Sequence, residues 1–185
     1  PERREQLERG LAFEELFFYC LSLGLRKRII SGQSGIAFDR ASPRFDSFMQ
    51  HLPFELTQAQ KRVLESIRSD MAAPHPMNRL LQGDVGSGKT IVAVLAALIA
   101  IDHGYQVAFM APTEILAEQH LRTLSAWGAK IGIRVEPLLG RLTTPVRTQI
   151  LEDLSKGKID LLVGTHALLE SDVRCRSFRV SPGFC

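Results

Sequence analysis

The 185-residue sequence has little that would suit a secreted or membrane protein. Its three cysteines, Cys20, Cys175 and Cys185, are far apart and odd in number, so they suggest neither a disulfide framework nor a C-x-x-C metal site. The longest apolar run, 91–101, is shorter than the roughly 20 residues that span a bilayer. The charged segment 1–9 does not resemble a signal peptide. We therefore expect a soluble protein with no membrane partner, in a reducing, cytoplasmic setting.

Internal repeats and low-complexity tracts are also lacking. Because 45% of the side chains are hydrophobic, the chain is able to bury a core. The formal net charge of +3 permits nucleic-acid binding without arguing for it. The sequence starts at Pro1 without an initiator methionine, so we expect it to be a piece of a longer protein. We also expect a monomer.

Residues 83–90, Gly-Asp-Val-Gly-Ser-Gly-Lys-Thr, match the P-loop template G-x-x-x-x-G-K-[ST] at every fixed position. The glycines permit positive φ and let backbone N–H groups approach an anion. Lys89 is predicted to reach the β- and γ-phosphates, and Thr90 to offer its hydroxyl to Mg²⁺ as the metal ligand. These two are the predicted catalytic residues. The predicted cofactor-binding residues of the loop are Gly83, Asp84, Val85, Gly86, Ser87, Gly88, Lys89 and Thr90.

A glycine-rich turn that contains Lys-Thr by chance is the alternative. The flanking pattern disfavours this alternative, because apolar residues precede the loop and a wholly apolar run follows it. A full-length match between a predicted strand and a predicted helix is rarely accidental.

The rest of the chain divides into predicted helices, strands and one linker. An amphipathic helix is predicted over 5–25, a linker over 31–50, and a helix that follows Thr57 and ends before Pro74. Strands are predicted near 79–82, 105–110, 133–139 and 159–163, and helices at 89–103, 114–127 and 145–156, closed by Gly104, Gly128 and Gly157. This alternation predicts a parallel sheet with helices on both faces. Pro137 predicts an edge or the start of a strand.

Four segments together resemble the superfamily 2 helicases: LPFELTQAQ at 52–60, the P-loop, APTEILAEQH at 111–120 and VGTHALL at 163–169. The resemblance covers about residues 8–173. It implies an α/β fold, a truncated P-loop NTPase with a RecA-like parallel sheet, preceded by an N-terminal helical segment. The implied domains are a helical linker segment at 1–50, a partial RecA-like ATP-binding domain at 51–173, and a tail outside the family pattern at 174–185.

The resemblance implies an ATP-dependent DNA helicase or translocase that acts on branched DNA, at forks or junctions, in recombination and repair. ATP and Mg²⁺ are the implied cofactors. Phe54 would lie against the adenine, and the amide of Gln60 would pair with its edge. From the residues alone, Thr57-x-x-Gln60 is also a capping box, in which each side chain bonds the other's backbone N–H. Both roles are compatible with one turn.

The resemblance also implies contacts with the DNA backbone. Thr113 and Glu114 begin a helix whose N–H groups are suited to a phosphate, and Thr165 and His166 follow the carboxyl end of a strand. Taken singly, Thr113 is an ordinary helix cap and His166 is an ordinary loop histidine. Gly140 and Arg141 fall where relatives have a DNA-contacting turn. Arginine here replaces the family's small hydroxylated residue.

The acidic strand end Asp-Glu-x-His, which the resemblance implies for the Mg²⁺ shell and the attacking water, occurs nowhere in the sequence. We therefore expect that this chain alone does not complete ATP hydrolysis. The alternative function is a non-catalytic nucleotide- and DNA-binding fragment. A small-molecule P-loop kinase would need an arginine-bearing lid, which the sequence does not show. The resemblance also predicts that two strands at the middle of the sheet are absent, so that the fold is marginal, and that the tail reflects a shifted or truncated reading frame.

Overall fold

The computed structural model describes residues 2–38 and 41–175. In that part of the chain the helices are α1 (Glu2–Ser31), α2 (Pro43–Gln50), α3 (Gln58–Met71), α4 (Lys89–Asp102), α5 (Glu114–Ile131) and α6 (Thr144–Ser155). The strands are β1 (Val107–Met110), β2 (Val135–Leu138) and β3 (Leu161–Gly164), and a 3₁₀ turn (His166–Leu169) follows β3. No helix among the described residues has both the length and the apolar character needed to cross a membrane.

The strands form one parallel sheet in the order β1, β3, β2, with Phe109 and Pro137 both opposite Val163. Consecutive strands are connected through helices, as parallel pairing requires. The central strand β3 is buried along its whole length. Pro137 lies on an edge strand of this sheet, where a missing N–H is tolerated, so the edge prediction is confirmed.

Hydrophobic side chains cover both faces of the sheet. On one face, helices α2 to α5 pack with Leu161 and Val163. On the other face, Ile150 and Leu154 of α6 pack with Leu162. Odd and even positions of β3 face opposite ways, because successive side chains of a strand alternate. The predicted α/β fold with helices on both faces is therefore confirmed.

The predicted linker over 31–50 is wrong for its second half. Residues 43–50 form α2, whose Phe45 and Phe48 are buried in the core. The first half is also tied down, since Gly35 N–H donates to Pro74 O at 3.0 Å and Phe38 N–H to Met71 O at 2.9 Å. The turn-forming residues of this stretch masked a short helix that begins at Pro43. Proline is favoured at the first position of a helix, because the N–H that it lacks would have no partner there.

Two further predictions from the sequence are corrected. Residues 76–84 are irregular rather than a strand near 79–82, because no strand of the described sheet lies beside them. Leu80 is accordingly 81% exposed. The helix predicted to end at Gly128 continues to Ile131 and is closed by Gly132, which has φ +70°. Gly128 is instead a packing residue, since a Cβ there would lie 2.9 Å from Val135.

The first helix, α1, differs from the rest of the molecule. It is longer than predicted, and those of its large apolar side chains that the structure describes are exposed rather than packed in the core; among them Phe13 is 68% and Phe18 65% exposed. Cys20 on this helix and Cys175 are both free cysteines, whereas Cys185 lies outside the described residues. The predicted tail at 174–185 also lies outside them, apart from its first two residues.

Candidate functional site

The P-loop connects the irregular segment 76–82 to α4. Gly86 and Gly88 both have φ of +81°, and Ser87 N–H donates to Asp84 O at 3.2 Å to form a tight turn. Helix α4 begins immediately afterwards, so its unpaired N–H groups and the positive end of its dipole lie at the loop. Residues 83–87 are exposed. The loop therefore presents main-chain donors to solvent in the arrangement that binds phosphate.

Glycine suits position 88 because its positive φ is a backbone conformation that other residues rarely adopt. A Cβ at this position would also push aside the flexible amide end of Gln60. The loop and the start of α3 therefore lie in close contact through this glycine.

Lys89 and Thr90 occupy the first two positions of α4. The Lys89 ammonium donates to Gly83 O at 2.9 Å and to Asp84 O at 2.6 Å, so it curls back over its own loop. Thr90 is half-buried. Both groups are thus at the turn where a phosphate would meet the N–H donors, as the motif predicts.

Gln60 links the P-loop to the N-terminus of α3. Its Oε1 accepts from Thr57 N–H at 2.8 Å, and Thr57 Oγ1 accepts from Gln60 N–H at 3.2 Å, which is the predicted capping box. Its Nε2 donates to Ser87 O at 2.9 Å. Both ends of the amide therefore have protein partners in this structure. Phe54, four residues before the helix, is 52% exposed. The adenine roles of Phe54 and Gln60 stay predictions.

The predicted DNA-contacting residues follow the carboxyl ends of the three described strands. Because the strands are parallel, these ends meet at one edge of the sheet, which we call the carboxyl edge. Ala111 N–H donates to Gly164 O at 2.8 Å, so the segment after β1 runs beside the end of β3. A Cβ on Gly164 would collide with Leu138 O of β2. The ends of the strands are therefore closely packed.

Two pairs of these residues come together at the carboxyl edge. Thr113 caps α5 by accepting from Leu116 N–H at 3.4 Å, as predicted. Glu114, the first residue of α5, accepts from Gly140 N–H at 3.0 Å through Oε1. Arg141 forms an ion pair with Glu118. The turn after β2, which contains Gly140 and Arg141, is thus attached to the start of α5.

Thr165 and His166 lie in the turn after β3. Thr165 is buried, and its carbonyl accepts from Leu168 N–H at 3.0 Å, whereas His166 is exposed. The chain beyond this turn is held by Arg147 of α6, which donates to Glu170 at 2.8 Å and to Asp172 at 2.9 Å. The hydrogen bond from Arg147 lowers the pKa of the Asp172 carboxyl.

Sequence reasoning missed three contacts that shape this region. Glu118 pairs with Arg141, the Ser87 carbonyl accepts from Gln60, and Asp102 at the far end of α4 binds residues that precede α2 or begin it. The last two contacts join residues 27 and 60 positions apart. Side-chain pairs at such separations leave no local pattern in a sequence. The amphipathic spacing of Phe45 and Phe48 after Pro43 would have revealed α2 itself.

The P-loop, the helix it caps and the parallel sheet define a nucleotide-binding domain of the P-loop class. A family model described as DEAD/DEAH box helicase matches residues 57–180, which is more than half of the chain. The chain therefore belongs to the DEAD/DEAH box helicase family.

Among curated proteins, the chain is 46% identical over 179 residues to the ATP-dependent DNA helicase RecG of Synechocystis sp.. It is 44% identical over 181 residues to that of Bacillus subtilis. The matches cover 94% and 96% of this chain but only 21% and 26% of those proteins. The chain thus spans about a quarter of the length of these relatives. The predicted resemblance is confirmed, and it points to the RecG branch of the helicases.

A solved structure described as RecG bound to a three-way DNA junction superimposes with a TM-score of 0.83 at 44% identity. The match covers 89% of this chain and 23% of that one. At this identity and coverage, the superposition confirms the RecA-like α/β fold.

Proposed function

We propose that this chain is part of an ATP-dependent DNA helicase or translocase that acts on branched DNA in recombination and repair. The names of the RecG relatives and the junction-bound structure support this function. The observation that carries the proposal is the P-loop, where Gly86 and Gly88 at positive φ deliver Lys89 and Thr90 to the start of α4. A loop of this kind holds the phosphates of a nucleotide without any contact to its base.

The RecG relatives are named as ATP-dependent helicases, and we propose that residues 83–90 bind the phosphates of ATP. The N–H groups at the start of α4 would hold the β-phosphate, and Lys89 would exchange the carbonyls of Gly83 and Asp84 for phosphate oxygens. The residues fit Mg²⁺ as well, because the half-buried hydroxyl of Thr90 is a hard oxygen ligand. Mg²⁺ would neutralise charge on the phosphates.

For the base, we propose that Phe54 contacts the adenine with its exposed ring and that Gln60 pairs with the adenine edge. The amide of Gln60 already bridges the α3 cap and the P-loop. Adenine pairing therefore requires the amide to exchange one of these partners. This exchange would connect base recognition to the position of the loop carbonyl of Ser87.

For DNA, we propose that the carboxyl edge contacts the sugar-phosphate backbone. The donors are the N-terminal N–H groups of α5 behind Thr113, the exposed ring of His166, and two groups that pair with Glu114 and Glu118 in this structure, the Gly140 N–H and the Arg141 guanidinium. Buried Thr165 would position the turn that carries His166. Contacts of this type bind nucleic acid without reading its sequence, which suits a motor that moves along DNA.

The sequence favours a second function for this chain by itself. Phosphoryl transfer to water needs an acidic residue beside Mg²⁺ and another beside the water, and Asp-Glu-x-His is absent. We therefore propose that this chain by itself binds nucleotide and DNA without turnover. The monomeric state and the cytoplasmic location remain predictions from the sequence.

The test measures the affinity of the full chain for a fluorescent ATP analogue with Mg²⁺, in the unchanged chain and in Lys89→Ala. Lys156→Ala is the matched control, because Lys156 follows the C-terminal end of α6, is exposed and forms an ion pair with Glu152 of the same helix. Loss of two charge-assisted hydrogen bonds, at about 1.5–3 kcal/mol each, should weaken binding about 100-fold or more in Lys89→Ala. Equal affinity in the two lysine variants would refute the nucleotide site.

A further inference from the structure

Two carboxylates of α5 hold the turn that follows β2. Glu114 accepts from Gly140 N–H at 3.0 Å, and Glu118 forms an ion pair with the Arg141 guanidinium. The two glutamates are four residues apart, so they lie on the same face of the helix. The two groups of this turn that are suited to bind an anion, the Gly140 N–H and the Arg141 guanidinium, are therefore each paired with a carboxylate.

These contacts have the chemistry of phosphate binding. A backbone N–H and a guanidinium are the groups that bind DNA phosphates, and a carboxylate takes the same hydrogen bonds with the same sign of charge. The Arg141 side chain is 63% exposed, so a phosphate has access to it, whereas the Glu118 side chain is 26% exposed. A Cβ at Gly140 would approach Glu114 Oε1 to 3.2 Å, which is tight, so glycine favours this close contact.

The turn also has a hydrogen bond and buried side chains of its own. Leu142 N–H donates to Leu139 O at 3.2 Å within it, and Leu138 and Leu139 are buried beneath it. An ion pair with an arginine as exposed as Arg141 contributes little to stability. Replacement of Glu118 by a phosphate should therefore leave the fold intact.

We propose that Glu118, supported by Glu114, is an autoinhibitory stand-in for phosphate, and that a DNA backbone phosphate displaces its carboxylate from Arg141. The inference rests on the proposed DNA-binding function of the carboxyl edge and adds a residue, Glu118, that competes with the nucleic acid. The Glu118 carboxylate lowers the affinity of the chain for every kind of DNA. Stable binding then requires DNA that places a backbone phosphate at this turn.

The test measures binding of a labelled three-way DNA junction to the full chain, to Glu118→Gln and to Arg141→Ala. Glu152→Gln is the matched control, because Glu152 is an exposed glutamate that pairs with Lys156 on α6 and gives the same change in charge. Glu118→Gln should bind about two- to fivefold more tightly than Glu152→Gln, which is the range of one exposed ion pair. The double variant Glu118→Gln/Arg141→Ala should bind no more tightly than Arg141→Ala.

The outcomes separate the two proposals. If Arg141→Ala weakens binding but Glu118→Gln binds as Glu152→Gln does, or more weakly, the stand-in is refuted and Glu118 positions Arg141 instead. Tightening that persists without Arg141 also refutes it, since the effect would be one of general charge. If neither the unchanged chain nor any variant binds the junction, while the ATP analogue still binds, the DNA-binding function itself fails. Equal thermal melts of the two glutamine variants would exclude a difference in folding.

Discussion

The two ends of helix α4 are built in opposite ways. At its N-terminus, the P-loop is exposed and uses main-chain groups, with glycines at positive φ. At its C-terminus, the Asp102 side chain is 4% exposed, and its carboxylate accepts from Ser42 Oγ, from Arg44 N–H at 2.9 Å and from the Arg44 guanidinium at 2.8 Å. One end is open to a ligand, and the other fastens the helix to α2.

An aspartate at the C-terminal end of a helix is unfavourable by itself, because the helix dipole is negative there. Asp102 is stabilised because it caps the N-terminus of α2, where the dipole is positive and N–H groups lack partners. Burial raises the pKa of Asp102, but the hydrogen bonds from Ser42 and Arg44 outweigh burial and hold the pKa below its usual value. The carboxylate is therefore charged at neutral pH.

This contrast explains why the P-loop can be predicted from the sequence and the contacts of Asp102 cannot. A phosphate-binding loop must leave its donors free, so a short contiguous run of glycines, lysine and threonine supplies it. An anchor takes its partners from wherever the fold brings them, and here they lie 58 and 60 residues away. If this is correct, changes at the loop should affect ligand binding, and changes at the anchor should affect stability.

After Lys89→Ala, the largest effect is expected for Gly88→Ala. The positive φ costs about 1–3 kcal/mol with a side chain, and the new Cβ would push aside the flexible amide end of Gln60. We expect the affinity for a fluorescent ATP analogue to fall at least about tenfold. The matched control is Gly104→Ala, at the other end of α4, which has φ +79° and no atom near its Cβ.

Gly104→Ala should lose about 1–3 kcal/mol of stability and keep its nucleotide affinity, because it carries the same backbone strain away from the loop. Urea unfolding and nucleotide titration measure the two quantities. If both alanine variants lose affinity equally, strain anywhere in α4 reaches the site, and the division between the two ends is wrong.

The next largest effect is expected at Asp102, which anchors α4 to the start of α2. Asp102→Asn removes the charge from three hydrogen bonds of a side chain that is only 4% exposed, so we expect a loss of about 1–3 kcal/mol in the free energy of unfolding. The nucleotide affinity of the folded fraction should stay unchanged. A variant as stable as the unchanged chain but weaker in ATP binding would reverse the roles given to the two ends.

Much of the fold could be predicted from the sequence because its signals are local. The apolar run after the P-loop gave α4, the capping residues Thr57 and Thr113 gave the starts of α3 and α5, and Gly104 and Gly157 gave two helix ends. Gly128 misled because a glycine inside a helix can serve close packing as well as a stop. The strand near 79–82 was wrong because strand formation depends on a neighbour, which no local pattern reports.

The site divides in the same way. The P-loop and the Thr57 cap were predicted because each lies within a few residues of sequence. The contacts of Gln60 with Ser87 and of Arg141 with Glu118 were not, because they depend on how helices α3 and α5 approach other loops. Nothing in the sequence alone shows that Glu118 of α5 lies beside the turn after β2.

A smaller effect is expected at Gln60, whose side chain contacts the P-loop. Thr57→Ala removes one bond of the capping box and should cost about 1 kcal/mol of stability with nucleotide affinity unchanged. Gln60→Ala also removes the bond to Ser87 O, so it should weaken nucleotide binding about two- to tenfold, the range of one hydrogen bond. Urea unfolding and nucleotide titration compare the two. Equal affinities in both variants would leave Gln60 a helix cap and nothing more.

The smallest effect is the pH dependence that Asp102 contributes. Its pKa in the folded chain is below the unfolded value of about 3.9, so its stabilisation is complete above that pH and is lost as the pH falls through the folded pKa. Asp102→Asn lacks this contribution, whereas Asp153 and Asp172, whose pKa values are also lowered, titrate in both proteins. The difference in unfolding free energy between the unchanged chain and Asp102→Asn should therefore be constant near neutral pH and shrink below about pH 4. A difference that stays constant down to acid unfolding would show that Asp102 anchors α4 through its shape rather than its charge.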